Sequence, residues 1–230
     1  MGHDTFEGTT VEYVTHADDN SVWTIVVAAG SGSRFGKPKQ FETLDGSTVL
    51  EHSIATALSV SEGLVVVLPS ENVGTKLPAR CEGVAGGATR SESVRAGLAY
   101  VPESAVTICV HDAARPLASA DLFRRVIETV RGGADGAVPG LAVADTIKEV
   151  NEVGVVQRTL PRQLLVAVQT PQAFSAAKLR AAHAAGGEGT DDAEIVERAG
   201  GRIVVVNGEV RARKITLPED LEWARGEVRG

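Results

Sequence analysis

A glycine-rich loop that carries two cations is the part of this sequence best suited to chemistry. Residues 30–40 read Gly-Ser-Gly-Ser-Arg-Phe-Gly-Lys-Pro-Lys-Gln and follow an apolar stretch that ends at Ala28. Glycines let the backbone point several N–H groups at one anion, and a helix start behind such a loop would add its positive dipole end. Arg34 and Lys39 bring positive charge to the same place. The loop therefore predicts a polyphosphate site.

The spacing of this loop differs from two common nucleotide-binding motifs. Its third glycine, Gly36, falls one residue late for G-x-G-x-x-G, and Lys37 is followed by proline rather than by the Ser or Thr of a P-loop. A dehydrogenase and a P-loop ATPase are both disfavoured. Lys37 and Lys39 both remain candidates for the lysine that approaches phosphates, and the Pro-Lys-Gln context favours Lys39.

Two further motifs fall where a strand ends or a helix begins. A second glycine-opened loop, residues 86–94, suits a nucleotide, although an ordinary turn with Ser91 at the helix cap explains it as well. Residues 111–116 read His-Asp-Ala-Ala-Arg-Pro after an apolar run. Asp112 there can orient a substrate or help to hold Mg²⁺, and the alternative is a buried ion pair. His111 is expected to be structural.

Composition limits the function classes. The chain has 230 residues, 43% hydrophobic and 23% charged, which suits one α/β domain. A net charge of −7 argues against nucleic-acid binding, and no apolar run approaches membrane-spanning length. Cys81 and Cys109 lack metal-ligand spacing and fit a reducing cytoplasm. We expect a disordered polar leader over residues 1–21, without the apolar core of a signal peptide, before a single domain over residues 22–230.

Apolar segments that alternate with helical patterns predict the elements that position these motifs. Continuous apolar character is typical of strands covered on both faces, and strand–helix alternation predicts a Rossmann-like, mostly parallel, doubly wound sheet. Ligands bind beyond the carboxyl ends of strands in such sheets. Strands are expected over 24–28, 64–68, 106–111 and 136–139, and helices over 49–59, 91–100 and 121–131.

Residues 141–160 have the pattern of a protruding β-hairpin arm. Two alternating segments, 142–148 and 155–159, flank the turn Asn-Glu-Val-Gly at 151–154. A hairpin that leaves the domain exposes its edges unless something covers them.

Three more segments, each weak alone, complete a consistent order of motifs. Residues 145–162 contain Asp-Thr-Ile-Lys and Thr-Leu-Pro-Arg, residues 169–174 read Gln-Thr-Pro-Gln-Ala-Phe, and residues 190–221 hold Thr-Asp-Asp-Ala and Arg-Lys-Ile-Thr-Leu-Pro-Glu-Asp-Leu. Together with the earlier motifs they span about residues 22–225. In order and spacing this chain resembles the 2-C-methyl-D-erythritol 4-phosphate cytidylyltransferase family, the IspD family of nucleotidyltransferases.

The resemblance implies transfer of CMP from CTP to a sugar-alcohol phosphate in the cytoplasm, with Mg²⁺ or another divalent cation. It also implies a homodimer formed through the hairpin arm, and neither a nucleic acid nor a membrane as partner. Ribitol-5-phosphate cytidylyltransferase, which shares three of the motifs, is the nearest alternative. A non-catalytic nucleotide-binding protein on the same fold is the alternative from another class.

The resemblance also implies roles for individual residues. Asp112 is the candidate metal ligand, the metal otherwise being held through the CTP phosphates, and Arg162 is expected to reach across the dimer. From their residue types, Thr190 is expected to cap a helix, and Thr216 together with Glu219 is expected to cap the C-terminal helix. The catalytic residues would be Arg34 and Lys39; the nucleotide would meet Ala28, Ala29, Gly30, Gly32, Ser33, Gly87, Arg90, Ser93, Asp112 and Lys214; the acceptor would meet Asp112, Arg115, Asp145, Thr146, Arg162, Thr170 and Thr190.

Overall fold

Twelve strands and six α-helices make up residues 20–229, the part of the chain that the computed structural model describes. The expected leader lies outside the described residues except for Asn20 and Ser21. The carbonyl of Ser21 accepts from Val106 and Thr107, so Ser21 already belongs to the domain. The strands are β1 (Val22–Val27), β2 (Thr43–Leu44), β3 (Ser47–Thr48), β4 (Gly63–Leu68), β5 (Cys81–Ala85), β6 (Thr107–Asp112), β7 (Gly136–Ala142), β8 (Lys148–Val150), β9 (Val156–Thr159), β10 (Val166–Val168), β11 (Gln172–Ser175) and β12 (Ile203–Asn207). The helices are α1 (Val49–Leu58), α2 (Arg90–Leu98), α3 (Ala120–Arg131), α4 (Ala176–Ala184), α5 (Asp192–Arg198) and α6 (Pro218–Arg229).

The central sheet is mostly parallel, as predicted. Strand β1 pairs in parallel with β4 and β6, β4 with β5, and β12 with β7. Strand β11 is antiparallel to β6 and β7, and β10 is antiparallel to β7. Strands β4 and β6 are buried along their whole length, which explains the continuous apolar sequence of β4 and the apolar run at residues 108–110 of β6. The doubly wound fold class is therefore confirmed.

Helices cover both faces of this sheet. On one face α1 and α3 pack their apolar residues against the strands, with Ile54 and Phe123 among the most deeply buried. On the other face α2, α4 and α5 do the same through Val94, Leu179 and Ile195. Two cores on opposite faces of one sheet hold the ends of β1 and β6 in fixed positions, and the functional loops start from those ends.

Three helix starts differ from the sequence expectations. Thr89, not Ser91, caps α2, because Thr89 and Glu92 have the spacing of a capping box and make both of its hydrogen bonds. Asp191, not Thr190, caps α5 by accepting from the backbone of Glu194. At α6, Asp220 accepts from the backbone N–H groups of residues 216 and 217, so the expected pairing of Thr216 with Glu219 is wrong.

The segment directly after the glycine loop does not form the expected α-helix. Only a three-residue 3-10 turn, Lys39–Phe41, follows the loop, and the first α-helix begins at Val49 after the small β2–β3 hairpin. A helix dipole therefore does not act directly behind this loop. Its anion-binding character depends on backbone N–H groups and on side-chain cations.

Strands β8 and β9 form an exposed hairpin where the arm is expected, with a different first strand from the one predicted. Residues 141–142 still pair with β10 in the central sheet, so the expected strand over 142–148 is wrong, and β8 starts only at Lys148. Strand β9 agrees with the expectation. The turn is formed by Asn151, whose side chain accepts from two backbone N–H groups, and by Gly154 at φ +82°. The whole segment 148–159 is exposed.

Within residues 20–229, no helix combines the length and the apolar character that crossing a membrane requires.

Candidate functional site

A cavity of about 430 Å³ lies at the carboxyl ends of β1 and β6. These strands are parallel neighbours, and their register places Val27 opposite Asp112. The glycine loop after β1 and the Asp112 motif after β6 therefore face the same crevice, as the fold class predicted. Ten of the predicted site residues line the cavity: Ala28, Ala29, Gly30, Gly32, Lys39, Gly87, Arg90, Ser93, Asp112 and Lys214.

The glycine loop has a shape that only glycine allows at its centre. Gly32 has φ +69°, and a Cβ there would lie 2.0 Å from the carbonyl oxygen of Lys37. The buried side chain of Gln40 donates to the carbonyls of Ala28 and Gly30, at 2.8 and 3.1 Å. The loop is thus tied back on itself, which keeps its backbone N–H groups available to an anion.

Lys39, and not Lys37, is the lysine that lines the cavity. Lys37 instead pairs with Glu42, with 2.8 Å between Nζ and Oε1. Burial, followed by the charges of Lys214 and Arg34, lowers the pKa of Lys39 from 10.5. Arg34 itself is exposed and stands outside the cavity lining. A cluster of positive groups in which lysine protonation is disfavoured is a site that gains free energy when an anion binds.

The second glycine loop forms the opposite wall of the cavity. Gly87 and Arg90 line it, and Thr89 with Glu92 fixes the point where the loop becomes α2. The Ser93 hydroxyl donates to the carbonyl of Thr89 and accepts from the backbone N–H of Gly87. Ser93 therefore holds the loop in shape, and the backbone between residues 87 and 89 faces the cavity.

Asp112 is the centre of charge in the cavity. It is 8% exposed, with Lys214 Nζ 2.6 Å from Oδ2 and Arg90 Nε 3.5 Å from Oδ1. Burial alone would raise the pKa of Asp112, but Lys214 and Arg90 hold it well below its usual range. Asp112 is therefore ionised across the physiological pH range, and it orients both cations.

Residues outside the cavity lining hold Asp112 and its neighbours in place. The Oγ1 of Thr170, buried and outside the cavity lining, accepts from the backbone N–H of Asp112 and lies 3.2 Å from Nδ1 of His111. Burial lowers the pKa of His111 to about 4, and its ring packs against Phe123. Arg115 donates to the carbonyl of Ala212, close to Lys214 in the chain. Within one chain, Thr170 and Arg115 therefore hold the backbone around Asp112 and Lys214 in place and do not line the cavity.

Three predicted acceptor residues lie on the arm or directly after it and do not line this cavity. Asp145, Thr146 and Arg162 are exposed, and Arg162 donates to the carbonyl of Ala144. Thr146 and Arg162 line a second, more open cavity of about 460 Å³. Within one copy of the chain these residues and the Asp112 cavity thus form two separate groups.

Two other predicted residues, Thr190 and Ser33, are exposed and do not line the cavity. The backbone N–H and the hydroxyl of Thr190 donate to Glu194. The motif around Thr190 nevertheless connects to the site, because Asp192 contacts Arg90 with 2.8 Å between Oδ2 and Nη1. Sequence reasoning also missed several lining residues: Val27, Ser31, Gln40, Ala88, Thr89, Ala113 and Ala114. The sequence feature that could have identified these residues is their position within or next to the motifs already singled out.

The described residues 20–229 contain no group of three or more His, Cys, Asp or Glu side chains arranged to hold a metal ion. Among the described residues that line the cavity, Asp112 is the one carboxylate. Such a donor set fits a cation that is bound mainly by the oxygens of a phosphate ligand, with a single carboxylate added.

Comparison with known proteins identifies the family to which this chain belongs. The family model IspD, 2-C-methyl-D-erythritol 4-phosphate cytidylyltransferase, matches residues 22–229. The protein of that name from Rhodococcus jostii (strain RHA1) is 46% identical over 215 residues, which cover 90% of this chain and 95% of the relative. A crystal structure of the protein of the same name from Thermus thermophilus has a TM-score of 0.78 at 36% identity, covering 91% and 100% of the two chains. The 4-diphosphocytidyl-2C-methyl-D-erythritol synthase from Anaerococcus prevotii DSM 20548 has a TM-score of 0.80 at 26% identity, covering 93% and 100%.

The environment of Lys39 predicts its titration. Because burial and neighbouring cations lower its pKa, its amine should lose the proton at a lower pH than the value of about 10.4 for a free lysine. Inorganic pyrophosphate should move the midpoint back upward, since a bound anion favours the charged form. Carbon-13 NMR of reductively methylated protein, with the Lys39→Arg variant to assign the signal, measures both. A midpoint that pyrophosphate leaves unchanged would show that Lys39 does not meet the anion.

Proposed function

Because the chain belongs to the IspD family of 2-C-methyl-D-erythritol 4-phosphate cytidylyltransferases, we propose that its Asp112 cavity is where that family's reaction takes place. The chain transfers CMP from CTP to 2-C-methyl-D-erythritol 4-phosphate and releases pyrophosphate, a step of isoprenoid biosynthesis. The observation that carries the location is that Lys39, Asp112 and Lys214 converge on one cavity beside a glycine loop. A non-catalytic relative would be expected to have lost this arrangement.

The reaction depends on neutralising negative charge more than on transferring a proton. A phosphate oxygen of the acceptor attacks the α-phosphorus of CTP, a new O–P bond forms, and the bond from the α-phosphorus to the bridging oxygen of pyrophosphate breaks. The attacking phosphate monoester is already anionic, so no side chain must remove a proton from it. His111 agrees with this, because its side chain is buried outside the cavity lining and packs against Phe123. The main obstacle is the repulsion between two anions.

Cations of the glycine loop and of the C-terminal segment would lower that repulsion. Lys39 lines the cavity directly, and Arg34 stands close enough to influence its protonation. We assign both to the α-phosphate and to the departing pyrophosphate, where negative charge increases as the bond breaks. Lys214, fixed by Asp112, adds a third cation on the other side.

The second glycine loop would read the base. Gly87 and Ala88 present backbone groups to the cavity, and Ser93 holds them in place. A backbone carbonyl there can accept from the exocyclic amine of cytosine. It would leave the carbonyl oxygen of uracil without a donor, so UTP should be a poor substrate. Ala28, Ala29 and Gly30 form the facing wall, where the absence of large side chains leaves room for the nucleotide.

A divalent cation, Mg²⁺ in the first instance, would be held mainly by the CTP phosphates. Asp112 is the side chain that would complete its coordination, consistent with its place in the cavity lining. When bound, the ion would supply positive charge to the phosphate oxygens. We also place the protein in the cytoplasm, because both Cys81 and Cys109 are free thiols, as a reducing compartment favours.

We further propose that the acceptor phosphate is bound across a homodimer. Asp145 and Thr146 lie on the arm and Arg162 directly after it, and apolar residues of both segments are exposed, with Val153 and Leu164 each 81% exposed. Such exposed apolar side chains are typical of a surface that a partner covers. An arm placed over the cavity of a second copy would bring the Arg162 guanidinium to the acceptor phosphate, which its planar fork suits.

The location of the reaction is tested by two lysine variants. Pyrophosphate release is measured with CTP, Mg²⁺ and 2-C-methyl-D-erythritol 4-phosphate. Lys39→Ala should lower turnover on the order of 10²–10³-fold, because it removes a cation that faces the developing charge. Lys37→Ala is the matched control, since Lys37 lies two residues away but pairs with Glu42 outside the cavity, and it should stay close to the unmodified rate.

Equal losses in the two lysine variants would contradict the assignment of the cavity. Parallel reactions with UTP and with ribitol 5-phosphate should give little pyrophosphate. If pyrophosphate is released with ribitol 5-phosphate and not with 2-C-methyl-D-erythritol 4-phosphate, the protein catalyses the same type of reaction on a different acceptor.

The dimer proposal is tested by complementation. Lys39→Ala and Arg162→Ala chains, co-expressed with different tags, are purified as a heterodimer. If each cavity uses Lys39 of one chain and Arg162 of the other, one of the two sites is intact and about half the unmodified activity per dimer should return. If both residues act within the same chain, each site carries a defect and activity should stay at the level of the single variants. Failure to isolate any heterodimer would argue against the dimer itself.

A further inference from the structure

A chain of alternating charges runs from the cavity to a buried carboxylate and histidine inside the protein. Arg90 lies between two carboxylates, with Nε 3.5 Å from Asp112 Oδ1 and Nη1 2.8 Å from Asp192 Oδ2. Asp192 in turn lies 3.0 Å from Nε2 of His183 through its Oδ1. Asp192 is fully buried and His183 is 2% exposed. The sequence of charges is therefore Lys214, Asp112, Arg90 and Asp192, with His183 at the inner end.

The contact between Arg90 and Asp192 acts through charge rather than through an aligned hydrogen bond. Although the atoms are 2.8 Å apart, neither Arg90 Nη1 nor Asp192 Oδ2 has a hydrogen-bond partner of good geometry within the described residues. Burial would lower the pKa of Arg90, but Asp192 and then Asp112 raise it above its usual value. Asp192 is the nearer of the two carboxylates, and it therefore makes the larger contribution to holding the guanidinium in place.

His183 fixes the position of Asp192. An ionised carboxylate only accepts hydrogen bonds, so the ring nitrogen Nε2 must carry the proton that it shares with Oδ1. Asp192 is the first residue of α5, and His183 belongs to the last turn of α4. The pair therefore anchors the carboxylate to two helices, and the carboxylate cannot turn away from Arg90.

Arg90 connects Asp192 to the loop that lines the cavity. It is the first residue of α2, directly after the loop residues Gly87, Ala88 and Thr89 that line the cavity. Without Asp192 the guanidinium would lose the nearer of its two carboxylates, so the start of α2 and the loop before it would no longer be held in place.

We propose that Asp192 is a positioning residue for the nucleotide, which acts through Arg90 on the loop over residues 87–89. The proposal rests on the proposed function of the cavity; in the same motif, sequence reasoning had singled out the neighbouring Thr190 instead, as a contact of the acceptor. Asp192 does not line the cavity, so it contributes to the binding of CTP and not to the reacting atoms.

The test measures the Kd for CTP with Mg²⁺ by calorimetry, and kcat at saturating CTP. Asp192→Asn preserves size but removes the charge, so CTP should bind about tenfold more weakly while kcat changes by less than about threefold. Asp121→Asn is the control, because Asp121 is also an aspartate in the first turn of a helix but is exposed and pairs with Arg124 at the surface. Its Kd should equal that of the unmodified chain.

A double variant separates positioning from a general loss of structure. If Asp192 acts through Arg90, then Arg90→Gln/Asp192→Asn should bind CTP no more weakly than Arg90→Gln alone. Losses that multiply, or a fall in kcat as large as the loss of affinity, would overturn the proposal. So would an unchanged Kd in Asp192→Asn.

His183 provides a variant that leaves Asp192 in place, should Asp192→Asn fail to fold. His183→Phe removes the donor to Asp192 and should weaken CTP binding by about threefold, while His183→Gln, which can still donate, should weaken it less. Equal Kd values in these two variants and the unmodified chain would overturn the proposal. An unmodified chain that binds CTP without turnover would contradict the proposed function alone, and one that does not bind CTP would overturn both.

Discussion

The ion pair between Asp112 and Lys214 is the interaction on which the site depends. The two residues are 102 positions apart in the chain and meet at the carboxyl end of β6, with 2.6 Å between Nζ and Oδ2. A buried carboxylate is unfavourable unless cations compensate it, so Asp112 requires Lys214 and Arg90 to be in place. Because the three residues come from β6, α2 and the segment before α6, the cavity forms only when the whole domain has folded.

Several hydrogen bonds hold the segment that carries Lys214 against the sheet. The side chain of Gln169 donates to the carbonyl of Glu209 and accepts from its backbone N–H, and the Glu209 carboxylate accepts from Ser119 and Arg125. The backbone N–H of Ile215 donates to the carbonyl of Ala114. These bonds leave Lys214 little freedom, so its ammonium is aimed at the cavity before a substrate arrives. Such preorganisation is the main way in which a protein without covalent chemistry accelerates phosphoryl transfer.

Local motifs were the part of the site that the sequence could predict. The glycine loop, Asp112 and Arg90 were found because their residue types and spacing follow from the chemistry of binding phosphate at strand ends. The link from Arg90 to Asp192 was not found, because nothing local indicates which distant carboxylate will meet a buried guanidinium. The helix caps at Thr89 and Asp191 were missed by one or two residues for a similar reason, since several neighbouring polar side chains compete for each cap. The first strand of the arm was misplaced because exposed alternation without a core does not fix where pairing starts.

The fold class was predictable for a physical reason too. Strands β4 and β6 are buried along their whole length, and the continuous apolar sequence of β4 and the apolar run at residues 108–110 of β6 are typical of strands that helices cover on both faces. The antiparallel insertion of β11 between β6 and β7 was not predicted. Strand β11 is four residues long, and its residues Gln172, Ala173 and Phe174 had been singled out as a motif, without a strand assignment.

A double-mutant cycle on Asp112 and Lys214 measures whether the two residues act as one unit. The variants Asp112→Asn and Lys214→Gln and their combination are compared by kcat/KM for CTP, with the acceptor in excess. If the two residues act as one unit, the combined variant should lose no more than about twofold beyond the larger single loss. Losses that multiply would show that Asp112 and Lys214 act independently, and would contradict the account of the site as a single network of charges.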